Sequence, residues 1–169
     1  MGKILSVNIS GKKGEKKHNI GSARALIDQG LENDAHIGMQ IRQISLLASE
    51  SIEKIRNKGL SVGYGDFAEN LTTEGIELFT LPPGTKLLVG DDVFLEVTQI
   101  GKTCLTPCAI YHAVGDCVMP KEGIFARVIR PGMLQPQSEF THCPKVYTAH
   151  VVTLSDRAFA GHYEDLSGP

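Results

Sequence analysis

Cysteine is scarce and unevenly placed. Cys104, Cys108, Cys117 and Cys143 are the only four in 169 residues, too few and too irregular for a disulfide scaffold. The chain also lacks the long apolar run that a secretory signal or a membrane span requires. Neither sign of charge dominates, since 17 Lys and Arg face 19 Asp and Glu, the formal net charge is −2 and the isoelectric point lies near 6.3. That balance argues against a nucleic-acid partner. Together these absences predict a reduced, cytoplasmic protein with no membrane partner, long enough for one domain and an appendage.

What is present is mostly strand. KILSVNIS at 3–10 sets Leu5, Val7 and Ile9 against Ser6, Asn8 and Ser10, the alternation of a strand in a sheet with one wet side. The basic cluster GKKGEKK at 11–17 reads as a solvated loop between two strands that can also touch an anion. ARALI at 23–27 predicts a second strand, and GLENDAHIG at 30–38 an irregular loop carrying His36. QISLLA at 43–48 is a short apolar run. The segment after it predicts a helix capped by Ser49, with Ile52 and Ile55 on one face and Gly59 at its end. Beyond a glycine-rich bend at 61–66, FAENLTTEGIEL carries a strand into the turn at Pro82, Pro83 and Gly84.

The clearest unit is a hairpin, TKLLV and VFLEVTQI around GDD, with Val93, Leu95 and Val97 alternating against Phe94, Glu96 and Thr98. A short helix is expected at 108–114, a strand at 123–130 and a turn at Pro131 and Gly132. MLQPQSEFTHCPK at 133–145 loses periodicity and reads as a linker, and VYTAHVVTL at 146–154 as a further strand. Many short strands, frequent turns and few helices predict a mainly β, barrel-like fold.

Chemistry concentrates in VTQIGKTCLTPC at 97–108, where a strand runs into Gly101 and Lys102 and then delivers Cys104. A cation two residues before a thiol favours thiolate chemistry, although buried cysteines more often serve as small core hydrophobes. Cys104, Cys108, His112 and Cys117 also form C-x3-C-x3-H-x4-C, a set of soft zinc ligands at looser spacing than structural sites use. Cys108 either resolves a persulfide or disulfide at Cys104 or packs in the core.

GLENDAH, RQISLL, GDFAENLTTEGIEL, LLVGDDVFLEVTQIGKTC and GIFARVIRPG stand in that order, and the ordered set resembles MOSC domains, the family related to the C-terminal part of molybdenum-cofactor sulfurases. The resemblance implies a β-barrel-like MOSC domain over 1–140 with a few short helices. It also implies a cysteine, here Cys104, that carries persulfide sulfur or ligates molybdenum, two roles that suit a soft thiolate. The cofactor implied is molybdopterin or its molybdenum form, and the partners a cysteine desulfurase and a molybdoenzyme acceptor. Around such a site His36, Arg42, Lys102 and Arg127 could neutralise a pterin phosphate or an oxo-anion. Asn70 could meet a pterin edge and Glu69 could accept from ring amines. Each has a plainer alternative as a surface or strand-end polar residue.

The activity so implied is sulfur transfer. The alternative is a non-catalytic molybdopterin-binding or cofactor-insertion module for an adjoining domain. VVTLSDRAFAGHYEDLSGP resembles the opening of the molybdopterin adenylyltransferase family, with Ser155 and Asp156 at the end of its first strand. Residues 141–169 are accordingly read as a linker and the truncated start of such a domain, too short for adenylyltransferase activity. No lysine sits in a Schiff-base context, so pyridoxal phosphate is not supported.

Overall fold

The computed structural model describes residues 2–104 and 109–143. Its strands are β1 (Gly2–Ile9), β2 (His18–Asn19), β3 (Ala23–Leu26), β4 (Gly30–Leu31), β5 (Ile44–Ala48), β6 (Leu71–Glu74), β7 (Lys86–Val89), β8 (Val93–Ile100), β9 (Ile124–Arg130), β10 (Gly132–Leu134) and β11 (Glu139–Cys143). The helices are α1 (Ser49–Arg56), α2 (Ala109–Val114) and α3 (Met119–Glu122). Seven strands close a barrel in the order β11, β7, β8, β9, β5, β6, β1, with β1 returning to β11. Closure removes the exposed edges that an open sheet would leave. β10, β3 and β4 form a small separate sheet.

The interior is apolar because period-2 strands turn one face inward. Val93, Leu95 and Val97 of β8 meet Leu46 of β5, Leu71 of β6, Leu87 of β7 and Ile124 of β9 in a single core. A second, smaller core lies outside the barrel wall, where Leu47 and Phe125 pack against Ile52 and Ile55 of α1, Ile110 of α2 and Met119 of α3. β5 and β6 are parallel, in contrast to the antiparallel pairs elsewhere in the barrel. A parallel pair needs a crossover, supplied here by α1 and the loop at 57–70, which returns the chain to the end of the barrel where β5 began.

Several expectations are corrected by this architecture. The polar face of β1 is dry: a register irregularity between Ile4 and Ser6 sends Ile4 and Val7 into the core and leaves Ser6, Asn8 and Ser10 buried as well. The basic loop stays exposed from Gly11 to Lys16, but Lys17 is only 5% exposed. Ser49 is the first helical residue and Ala48 holds the cap position with no side-chain cap bond. The linker read at 133–145 holds the end of β10 and all of β11, and β11 is the strand that closes the barrel between β1 and β7. α3 joins the expected helices. The strand read at 146–154, with Ser155 and Asp156, lies outside the described residues, as does Cys108.

Candidate functional site

One mouth of the barrel gathers polar groups from five segments. The register sets Leu71 beside both Val7 and Leu46, so Asn70, Asn8 and Ser45 are neighbours at strand ends. Asn70 donates through Nδ2 to the Asn8 carbonyl (3.1 Å) and to Asp34 Oδ2 (3.1 Å), while its Oδ1 accepts from Ser45 N–H (3.1 Å) and faces Ser45 Oγ (3.0 Å). Both Nδ2 protons are thereby used, and Oδ1 accepts from the Ser45 backbone. Asn70 holds the mouth together through protein partners, in place of the pterin edge the sequence suggests.

Asp34 is the hub of this network. Its carboxylate accepts from Ser10 N–H at 3.0 Å, Asn70 Nδ2 at 3.1 Å and Lys17 Nζ at 2.5 Å. Burial favours the neutral acid, but the bonds from Lys17 and Ser10 prevail and hold Asp34 below the usual carboxylate range. Burial draws the Lys17 ammonium down from the ordinary lysine range, against the pull of Asp34. Lys17 and Asp34 were not legible as a pair, since one closes a basic run and the other sits among turn formers.

Glu69 is fully buried and braces the adjoining turn, accepting from Gly65 N–H (2.5 Å), Phe67 N–H (3.2 Å) and Thr72 Oγ1 (2.9 Å). Burial pushes its carboxyl up, opposed by these bonds. Its partners are protein groups, in place of the ring amines the sequence suggests. The turn depends on Gly65, at φ +90°, because a Cβ there would sit 2.2 Å from the Lys17 carbonyl oxygen. Ala68 occupies the left-handed region without being glycine, at φ +63°, a strained backbone of the kind that clusters at functional sites.

Over this mouth lies a cleft with two recesses, of about 360 Å³ and about 150 Å³. His36, Ala68, Lys102 and Met119 line both. The larger adds Lys16 and Asp66 at one side, Phe67 and Ile110 at the other, and the thiols of Cys104 and Cys117. The smaller adds Lys17, Met39, Arg42, Ser45, Asn70 and Phe125. A larger depression of about 510 Å³, lined by Lys3, Glu50, Glu74 and Glu139, lies at the Gly2 end of β1 and contains neither thiol nor imidazole.

The structure therefore brings together Cys104, His36, Lys102, Arg42 and Asn70. Cys104 is exposed, so the buried-core alternative fails for it, while Cys117 is buried in the wall. Gly101 aims this segment: at φ +65° its N–H donates to the Gly123 carbonyl (2.7 Å), and a Cβ there would lie 2.1 Å from the Pro120 carbonyl oxygen. Arg42 donates to Gln99 Oε1 (3.0 Å) and lies 5.2 Å from the centre of the Phe125 ring. Arg127 is elsewhere, 48% exposed on β9 and paired with Glu96 at 3.0 Å. His36 places Nδ1 3.6 Å from Asp34 Oδ2, and burial together with the Lys17 charge holds its imidazole below the usual range. It enters the cleft as a neutral ring, in place of the cation expected of an anion clamp. Among the described residues no three His, Cys, Asp or Glu side chains converge on a metal position, and His112 does not line the cleft. No helix among them is long and apolar enough to cross a membrane.

Several solved structures share this fold. The YuaD protein from Bacillus subtilis superposes with a TM-score of 0.71 at 18% identity, over 83% of this chain and 94% of that one. YiiM from Geobacillus stearothermophilus gives 0.63 at 21% identity, over 85% and 75%. YiiM from Escherichia coli gives 0.58 at 19% identity, over 88% and 72%. No curated protein matches the chain. Residues 33–141 match the MOSC domain; this segment runs from the Asp34 loop through Cys104 into β11 and covers more than half of the sequence, and the chain belongs to the MOSC domain family.

Proposed function

We propose that this MOSC domain serves molybdenum-cofactor metabolism as a sulfur carrier, with Cys104 holding a sulfane sulfur at the barrel mouth for delivery to a molybdenum-pterin species. The observation that carries the reading is an exposed thiol in a recess that it shares with the Lys102 ammonium and the apolar side chains of Phe67, Ile110 and Met119, with Lys16 paired to Asp66 at its rim. The residues fit the implied cofactor by the chemistry of their donors. Lys102 and Arg42 would take its phosphate, and Phe67, Ile110 and Met119 would cover the faces of its ring. When bound, the cofactor supplies a soft metal centre that accepts sulfur.

The chain's own contribution is to present the nucleophile and keep the cleft floor rigid. A Cys104 thiolate attacks the outer sulfur of a donor persulfide, the S–S bond of the donor breaks, and the donor leaves as a thiolate. The donor class implied is a cysteine desulfurase. Incubation with a desulfurase and free cysteine, followed by intact-mass measurement, should show one added sulfur in the wild type and none in Cys104→Ala. Equal labelling of the variant would sink the carrier role. If the wild type takes up no sulfur, and molybdopterin binds Cys104→Ala as tightly as wild type but not Lys102→Glu, the non-covalent binding module is the better description.

A further inference from the structure

We propose that Asp34, His36 and Cys104 act as one unit, in which His36 is the base that takes the Cys104 thiol proton and Asp34 orients the imidazole. The inference deepens the reading of Cys104 as the working thiol and rests on it. Cys104 and His36 line the same recess, so a nucleophile and a base share one cleft. His36 Nδ1 is itself buried and has no hydrogen-bond partner, yet it lies 3.6 Å from Asp34 Oδ2. A proton on Nδ1 would point at that oxygen across a gap slightly longer than a hydrogen bond, and would leave the lone pair on Nε2, at the other edge of a ring that is 28% exposed. Catalytic contacts of this kind are commonly long before a ligand binds and tighten afterwards.

Asp34 is suited to the positioning role because it cannot turn. Ser10, Asn70 and Lys17 fix both of its oxygens, and Lys17 already neutralises much of its charge. The charged groups acting on His36 are Lys17, Lys13 and Lys102, which oppose an imidazolium, and Asp34, which favours one; burial adds to the opposition. The lysines and burial make the imidazolium short-lived, and Asp34 is the neighbour that favours it while the proton is held. The thiolate that His36 creates is then met by Lys102 at the same recess, where Lys16 is paired with Asp66.

The step balances without an added oxidant. The proton moves from Cys104 Sγ to His36 Nε2, and the thiolate forms an S–S bond to the outer sulfur of a persulfide donor. The donor's own S–S bond breaks, and the departing donor thiolate takes the proton back from His36. The products are a Cys104 persulfide, a donor thiol and a neutral imidazole.

Alkylation by iodoacetamide tests this without any sulfur donor, so its outcome is separable from whether Cys104 carries sulfur. Fragment mass spectrometry distinguishes Cys104 from Cys108, Cys117 and Cys143. In His36→Gln the Cys104 rate at about pH 7 should fall roughly tenfold or more and return to the wild-type rate at about pH 10, where a thiol ionises unaided. Added imidazole should restore the rate at about pH 7 in His36→Gly, which a merely structural role would not allow. Equal rates at about pH 7 in wild type and His36→Gln overturn the proposal. Should both variants fail to fold, nitrogen-resolved NMR of the wild-type ring decides: a proton on Nδ1 with Nε2 bare supports the unit, and the opposite tautomer overturns it.

Discussion

The barrel interior and the barrel mouth are built from the same strands by opposite rules. Inside, Leu46, Leu71, Leu87, Leu95 and Ile124 are fully buried apolar side chains packed in one cluster. At the mouth, Lys17, Asp34, Ser45, Glu69 and Asn70 are equally buried and held by hydrogen bonds. The interior draws its stability from area removed from water, which tolerates substitution by side chains of similar volume. The mouth draws little net stability from burying charge but becomes costly if any one partner is lost. Rigidity at the mouth is what a site needs. The comparison teaches that the polar network exists to hold Asp34, and through it the cleft, in one arrangement.

The largest effect should come from stranding a buried charge. Asp34→Ala leaves Lys17 unpaired and removes the acceptor for Ser10 and Asn70, a loss of about 3–5 kcal/mol in urea unfolding. Replacing both partners, as Lys17→Met with Asp34→Leu, should recover the part due to the stranded charge, while the Ser10 and Asn70 donors stay without their acceptor. Next is Leu95→Ala in the interior, expected to cost about 2–5 kcal/mol while sulfur uptake per folded molecule stays at the wild-type level. A drop in uptake there would erase the division between the two regions.

Gly101→Ala comes third, at about 1–3 kcal/mol, because it forces a left-handed residue against the Pro120 carbonyl. It should also lower Cys104 uptake by moving the turn that carries the thiol. The fourth effect is of pH. Since burial and Lys17 hold His36 low, the unfolded chain binds that proton more readily than the folded one. The stability attached to neutral His36 is present above about pH 6.5 and lost as pH falls through the window beneath it. Asp34, also held low, adds a further loss beneath the ordinary carboxylate value of about 3.9. Urea midpoints measured against pH should show a flatter curve for His36→Gln than for wild type between about pH 6.5 and 5. Smallest is Arg127→Ala, which breaks an exposed pair with Glu96 and should change stability by less than about 1 kcal/mol with no change in molybdopterin binding.

Legibility follows the same division. The hairpin of β7 and β8 could be read because its alternation is unbroken, and α1 because Ile52 and Ile55 share a face. Cys104 stood out because it follows a clean strand and a glycine turn. β11 was hidden because Phe140 is its one buried residue, so EFTHC carries no alternation; its place is set by pairing with β1 and β7, far away in sequence. The polar face of β1 looked solvated because serine and asparagine give no sign of burial until partners from other loops surround them. Lys17 and Asp34 were obscured for that reason too, being joined only when β1, β2 and the loop after β4 converge. Arg127 had the right chemistry for a phosphate but lies on β9 opposite Glu96, away from the cleft.

The central claim is that the working group of this domain is the Cys104 thiol at the polar mouth, separable from the fold that supports it. Intact-mass analysis after sulfur loading, paired with a urea midpoint on the same samples, tests it most directly. One added sulfur on the wild type, none on Cys104→Ala and the same midpoint for both is the predicted result. Equal sulfur uptake by Cys104→Ala would contradict it.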